Sequence, residues 1–214
     1  MRCQFICSQR FLICSLGNPG AKYRFTRHSL GHYVLEQIHS YFGFSVFEKD
    51  PSCFGMYAKR DDLPFLLFQS CVFMNESGKA VQKAWNKFCA DMVVEGEGRP
   101  LLVVLHDDIE EKFGTVKVRE QGKGRYNFVI DVWYILKNQE VIKAYNRVLN
   151  RYLLRKSFVR FSIGLGRPST RESKDVVNFV LQKLSPQELS YINEITVPKV
   201  IEEIEKLKDR VKSE

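Results

Sequence analysis

The 214-residue chain is 44% hydrophobic and 13% aromatic, enough for one substantial core, and no apolar run nears the roughly 20 residues that cross a bilayer. A formal net charge of +8 with a pI near 9.2 points to a polyanionic partner. The excess is regional, because from Lys112 to Arg171 fourteen lysines and arginines face three acids, Glu120, Asp131 and Glu140.

The first ten residues, MRCQFICSQR, carry two arginines and no acid but are too short for a transit peptide ahead of the first strand. Phe11, Leu12, Ile13, Cys14 and Leu16 form an apolar run of strand length that breaks at Gly17-Asn18-Pro19-Gly20. Thr26-Arg27-His28-Ser29 then precedes an amphipathic run (Leu30, Tyr33, Val34, Ile38, Phe42). Thr26 or Ser29 can cap that helix, and His28 stands at its mouth. Residues 55–60 and 64–71, separated by Asp61-Asp62, read as a hairpin, and the nearly all-apolar PFLLFQSCVFM of its second arm belongs inside. That arm ends at Asn75-Glu76-Ser77-Gly78, after which Ala80, Val81, Ala84, Trp85, Phe88 and Met92 recur at helical spacing.

A Gly- and Glu-rich loop leads into Leu101-Leu102-Val103-Val104-Leu105, the continuous apolar pattern of a central parallel strand, which ends in His106-Asp107-Asp108. GTVKVR (114–119) and FVRFSIG (158–164) alternate as half-exposed strands do. In the last forty residues Val197, Val200, Ile201, Ile204, Leu207 and Val211 make one apolar helical face. Six scattered cysteines, with no C-x-x-C pair and no histidine at ligand spacing, suit free thiols in a reducing compartment and argue against structural zinc.

Three strands therefore end in polar residues, Asn18, Asn75 and Asp107, and open α/β sheets bind ligands outside the carboxyl ends of their strands. With His28 on the first helix, one crevice gathers two amides, a carboxylate and an imidazole. That set suits hydrolysis: imidazole takes a proton from water, carboxylate fixes the tautomer, and amide N–H groups hold a developing oxyanion. G-x-S-x-G is absent, so water is the simpler nucleophile. Each residue taken singly also has a plain structural role as a cap or surface group. Phosphate-loop readings fail, because Gly164-Leu165-Gly166 lacks the third glycine and Ser77-Gly78-Lys79-Ala80 lacks both the upstream glycine and the hydroxyl after lysine.

Four blocks in order, LGNPGAKYRFTRHSLG, FMNESGKAV, LLVVLHDDIEEKFGTVKVR and FSIGLGRPSTRESKDVVNFVLQKLSP, resemble the bacterial-type peptidyl-tRNA hydrolase family. The resemblance implies an α/β fold: a single domain over 1–214 with a mixed, mostly parallel central sheet flanked by helices. It also implies hydrolysis of the ester joining a peptide to tRNA, without metal or cofactor. By this resemblance His28 is the base and Asp107 the carboxylate that orients it. Asn18 and Asn75 are the amides of the peptide and ester site, with Tyr23 and Met74 in its wall. Ser29 stands where the family usually has asparagine. Lys117, Arg119 and Arg160 become candidates for gripping tRNA phosphates, which supply most sequence-independent affinity. The implied partner is peptidyl-tRNA, with no membrane and a monomeric protein; the compartment is the cytoplasm, with the mitochondrion as alternative.

The match covers 8–124 and 157–214, and 125–156 is atypical. The family carries a G-H-N-G turn there, whose asparagine helps hold substrate and water, and this chain has none. Asn127 and Asn146 compete for that role. Three readings stay open: an insertion with one of these asparagines still at the site, a loss that leaves a weak or inactive tRNA-binding protein, or a translated intron or frameshift.

Overall fold

Strand β1 (Arg10–Ser15) lies in the middle of the sheet because every residue after Arg10 is buried, so both of its faces need cover. This computed structural model describes residues 10–95, 100–120, 158–168 and 173–213. The other strands are β2 (Glu48–Asp50), β3 (Gly55–Ala58), β4 (Phe65–Ser70), β5 (Pro100–Asp108), β6 (Val116–Glu120) and β7 (Val159–Gly164). They join one seven-stranded sheet in the order β2-β3-β4-β1-β5-β7-β6. The four central strands β4, β1, β5 and β7 run parallel, while β2–β3, β3–β4 and β6–β7 pair antiparallel. The expected mixed α/β sheet and the 55–71 hairpin are both present.

Helices α1 (Leu30–Phe42), α2 (Ser77–Glu95), α3 (Ser173–Leu181), α4 (Pro186–Tyr191) and α5 (Val197–Ser213) complete the described chain. Alternation along β1 sends Phe11 and Ile13 into one core with α1 and α5, and Leu12 and Cys14 into another with α2. The direction in which strands are added reverses at β1: the connection through α1 leads to β4 on one side, and the connection through α2 returns across the opposite face to β5. The crevice outside the end of β1 is the switch point at which such sheets hold ligands.

Helix α1 stops at Gly43, whose φ of 63° is left-handed; Gly43 N–H bonds Ser40 O and Phe44 N–H bonds His39 O, the paired bonds that close a helix end. Between α4 and α5 the helix widens at Ile192–Thr196, with Val197 N–H reaching back to Ile192 O. Pro198 explains the wide turn, since it has no N–H to donate and its ring crowds the preceding turn. Among the described residues no helix is long and apolar enough to cross a membrane, and Cys14, Cys53, Cys71 and Cys89 are free thiols.

Phe65 anchors the α1 face. It stacks on Phe11 with centroids 4.8 Å apart and meets Phe42 edge-on at 5.2 Å. Phe65→Ala is expected to cost about 3–5 kcal/mol of stability, read as a lowered denaturation midpoint at unchanged denaturant slope.

Candidate active site

The histidine segment is held in place from several sides. Phe25 takes a left-handed backbone (φ 66°), which costs a bulky residue about 1–3 kcal/mol and persists only where its surroundings enforce it. Its carbonyl accepts Leu184 N–H at 2.8 Å, and Arg27 N–H bonds Gln182 O at 2.9 Å. The Arg27 guanidinium lies 4.6 Å from the Phe179 ring centroid and bonds Glu188 at 2.8 Å. Glu188 also closes a capping box with Ser185 at the start of α4. Burial pushes the Glu188 carboxyl up, but Arg27 and the Ser185 bonds outweigh it and hold the group below its usual range. The turn carrying His28 is thus bolted to the chain between α3 and α4.

Within that turn, His28 Nδ1 lies 2.9 Å from Asp107 Oδ2 at the end of β5. The histidine side chain is 19% exposed and the carboxylate 3%, so solvent reaches the imidazole but not its partner. A carboxylate only accepts, so Nδ1 carries the proton and the basic lone pair is on Nε2. Burial lowers the His28 pKa, while the hydrogen bond and charge of Asp107 raise it; the carboxylate wins, and the pKa stands above the ordinary histidine value.

Thr26 and Ser29 do not cap α1, contrary to the sequence expectation. The Thr26 hydroxyl donates to Tyr23 O at 2.8 Å, and Ser29 Oγ accepts Asn18 N–H at 3.1 Å. Their hydroxyls instead tie the first loop to the head of the helix. From that loop Asn18 Oδ1 accepts Met74 N–H at 3.0 Å, which fixes the amide's orientation and leaves its NH₂ as the donor for a ligand. Met74 is buried, and the edge-on rings of Tyr23 and Phe73, 5.9 Å apart, close the same junction from outside. Asn75 is exposed in the turn before α2, next to the buried Met74.

Two further histidines, His106 and His32, are buried beside the site. His106 Nδ1 donates to Asp107 O at 2.7 Å, and its Nε2 meets Ser162 Oγ at 3.1 Å, so the residue before the carboxylate braces its backbone. His32 Nδ1 pairs with Ser15 Oγ at 2.8 Å, and burial pushes its pKa down to about 4. Both sit beside strand-end residues, and a histidine one helical turn into α1 or directly before an aspartate was the available signal.

The basic candidates divide. Lys117 and Arg119 on β6 both reach Glu111, at 2.5 Å and 3.0 Å. Arg160 is 4% exposed within β7, so its side chain is shut inside and a surface phosphate does not reach it. The alternating pattern misled here, because β7 lies between β5 and β6 and all six of its residues are buried. Asn127 and Asn146 lie outside the described residues, as does the apolar stretch around Val129–Leu136. Among the described residues no group of three or more side chains could hold a metal ion.

Comparison with known proteins gives a consistent result. Residues 12–213 match the sequence model of the family described as peptidyl-tRNA hydrolase. The peptidyl-tRNA hydrolase of Clostridium acetobutylicum is 30% identical over 188 residues, covering 86% of this chain and 84% of that protein. That of Geobacter sulfurreducens is 35% identical over 183 residues, covering 84% and 79%. A crystal structure of the peptidyl-tRNA hydrolase from Acinetobacter baumannii superposes with a TM-score of 0.64 over 94% of both chains, at 23% identity, a likeness of fold.

Proposed function

Because this chain belongs to the peptidyl-tRNA hydrolase family, we propose that it cleaves the ester between peptide and tRNA, releasing both, with His28 as general base for the attacking water. The observation that carries the proposal is the 2.9 Å contact between His28 Nδ1 and Asp107 Oδ2 at the switch-point crevice. His28 Nε2 takes a proton from water as the oxygen attacks the ester carbonyl. The carbonyl's π electrons move onto its oxygen, and the NH₂ groups of Asn18 and Asn75 stabilise that charge. When the intermediate collapses, the ester C–O bond breaks and the ribose oxygen leaves with the proton that imidazolium returns. Asp107 keeps Nδ1 protonated and stabilises the transient imidazolium. Met74 and Tyr23 line the wall, and Lys117 and Arg119 are kept as phosphate contacts, to be released from Glu111 when tRNA binds.

The test is release of peptide from an N-blocked aminoacyl-tRNA by the chain as written. Turnover that depends on His28 supports the assignment. Affinity for tRNA that falls with salt, but without turnover, would instead make the chain an RNA-binding protein that lacks the family's G-H-N-G turn.

A further inference from the structure

Helix α2 leads away from Asn75 with Lys79, Lys83 and Lys87 on its exposed side, four residues apart and so on one row. The far end of that row is neutralised, since Lys87 pairs with Asp50 at 2.5 Å and Asp91 stands one turn beyond. Among the described residues Lys79 and Lys83 make no ion pair, so two ammonium groups face the single exposed Glu76 at the end beside the candidate site. Lys49 adds to it, since on β2 it stands opposite Met56, two residues along the chain from Phe54.

Into this basic edge projects Phe54, 42% exposed, a large aromatic that folding alone would bury. Its backbone is left-handed (φ 55°), a conformation bulky residues seldom adopt. The conformation is enforced by Phe54 N–H on Pro51 O and by Cys71 N–H on Phe54 O at 2.8 Å. The Lys83 ammonium stands 4.3 Å from the ring centroid. An exposed ring locked in place among unpaired lysines is the arrangement with which proteins bind single-stranded nucleic acid, bases stacking on the ring and cations following the backbone. Lys83 is about 9 Å along the helix from Ser77, a span a short unpaired strand covers.

We propose that Phe54, Lys83, Lys79 and Lys49 form a docking edge for the unpaired 3′ end of the substrate tRNA, which stacks a base on Phe54 and passes its phosphates along α2 toward Asn75. The flexible lysine stem lets the Lys83 ammonium leave the ring for a phosphate as a base takes the ring face. The inference rests on the tRNA reading above, but its test needs no turnover. Binding of deacylated tRNA is compared with binding of the same tRNA trimmed of its unpaired 3′ nucleotides, for the unaltered chain, Phe54→Ala and Lys83→Ala. Phe54→Ala is expected to weaken intact tRNA about tenfold and to leave the trimmed tRNA unaffected. Lys83→Ala is expected to reduce the salt slope for intact tRNA by about 0.7. Because Lys83 is exposed, that variant keeps the test decisive even where Phe54→Ala fails to fold. Unchanged affinity and slope, or equal losses on trimmed and intact tRNA, overturn the proposal. Phe54-dependent binding in a chain without turnover keeps it and removes the hydrolase reading.

Discussion

His28→Ala is expected to lower kcat for peptidyl-tRNA hydrolysis by about 10²–10⁴-fold, the usual worth of a positioned general base, with an unchanged far-ultraviolet spectrum. The partly exposed side chain anchors little of the core, so the loss is chemical. Full activity in that variant would refute the assignment. The pH profile makes the same point in finer terms. A base must be neutral, so kcat rises with pH through the His28 pKa, and Asp107 sets that limb above the ordinary histidine value. In Asp107→Asn only burial and a weaker hydrogen bond remain, so the limb moves to lower pH while the maximum rate falls. A limb that stays in place would mean another group is being titrated. The linkage to stability runs the opposite way: a raised folded-state pKa gives stability fully present below the unfolded pKa and lost as pH rises through the folded one. The charged pair is therefore the more stable form, and the neutral form is the one that works.

Gly31→Ala is expected to damage fold and site together. A Cβ at this position would lie 2.5 Å from Leu16 O and 2.7 Å from Leu105 O, both backbone atoms, one just past β1 and one within β5. Neither can yield, so α1 must lift from the sheet, with overpacking of about 1–3 kcal/mol or more. The His28 turn runs directly into that helix, and lifting it stretches the contact with Asp107. Activity and thermal stability should fall together in Gly31→Ala, whereas above the His28 pKa, where the charged pair no longer contributes, His28→Ala loses activity alone. A Gly31→Ala protein with normal melting and normal turnover would mean the helix is not seated as described.

Legibility in the sequence followed burial. β1, β4 and β5 were plain because strands covered on both faces must be apolar throughout, and their polar ends marked the crevice. β2 was invisible: Glu48-Lys49-Asp50 has no strand pattern and exists only because β3 offers it a free edge. Thr26 and Ser29 read as caps because a hydroxyl ahead of a helix has the same local signature whether it caps the helix or ties down a neighbouring loop. Only the loop at Asn18, eleven residues from Ser29, decides between them. Arg160 failed for a similar reason, since alternation records residue type and not which faces a later strand will cover. The His28–Asp107 pairing spans 79 residues, beyond any periodicity; their positions at a helix mouth and a strand end bring the two into one crevice, and the resemblance of whole blocks assigns them their roles.

The strand order also dictates when the molecule can be finished. β6 leaves the ribosome before β7, yet in the sheet β7 lies between β5 and β6. Until residues 159–164 arrive, β5 has an open edge of unsatisfied amides and carbonyls directly beneath Asp107. Such distant pairings form slowly, and a half-built sheet with an open edge invites association with other chains. The β5 edge of the nascent protein thus stays open to misassembly until β7 has emerged, and chaperone dependence should persist until then.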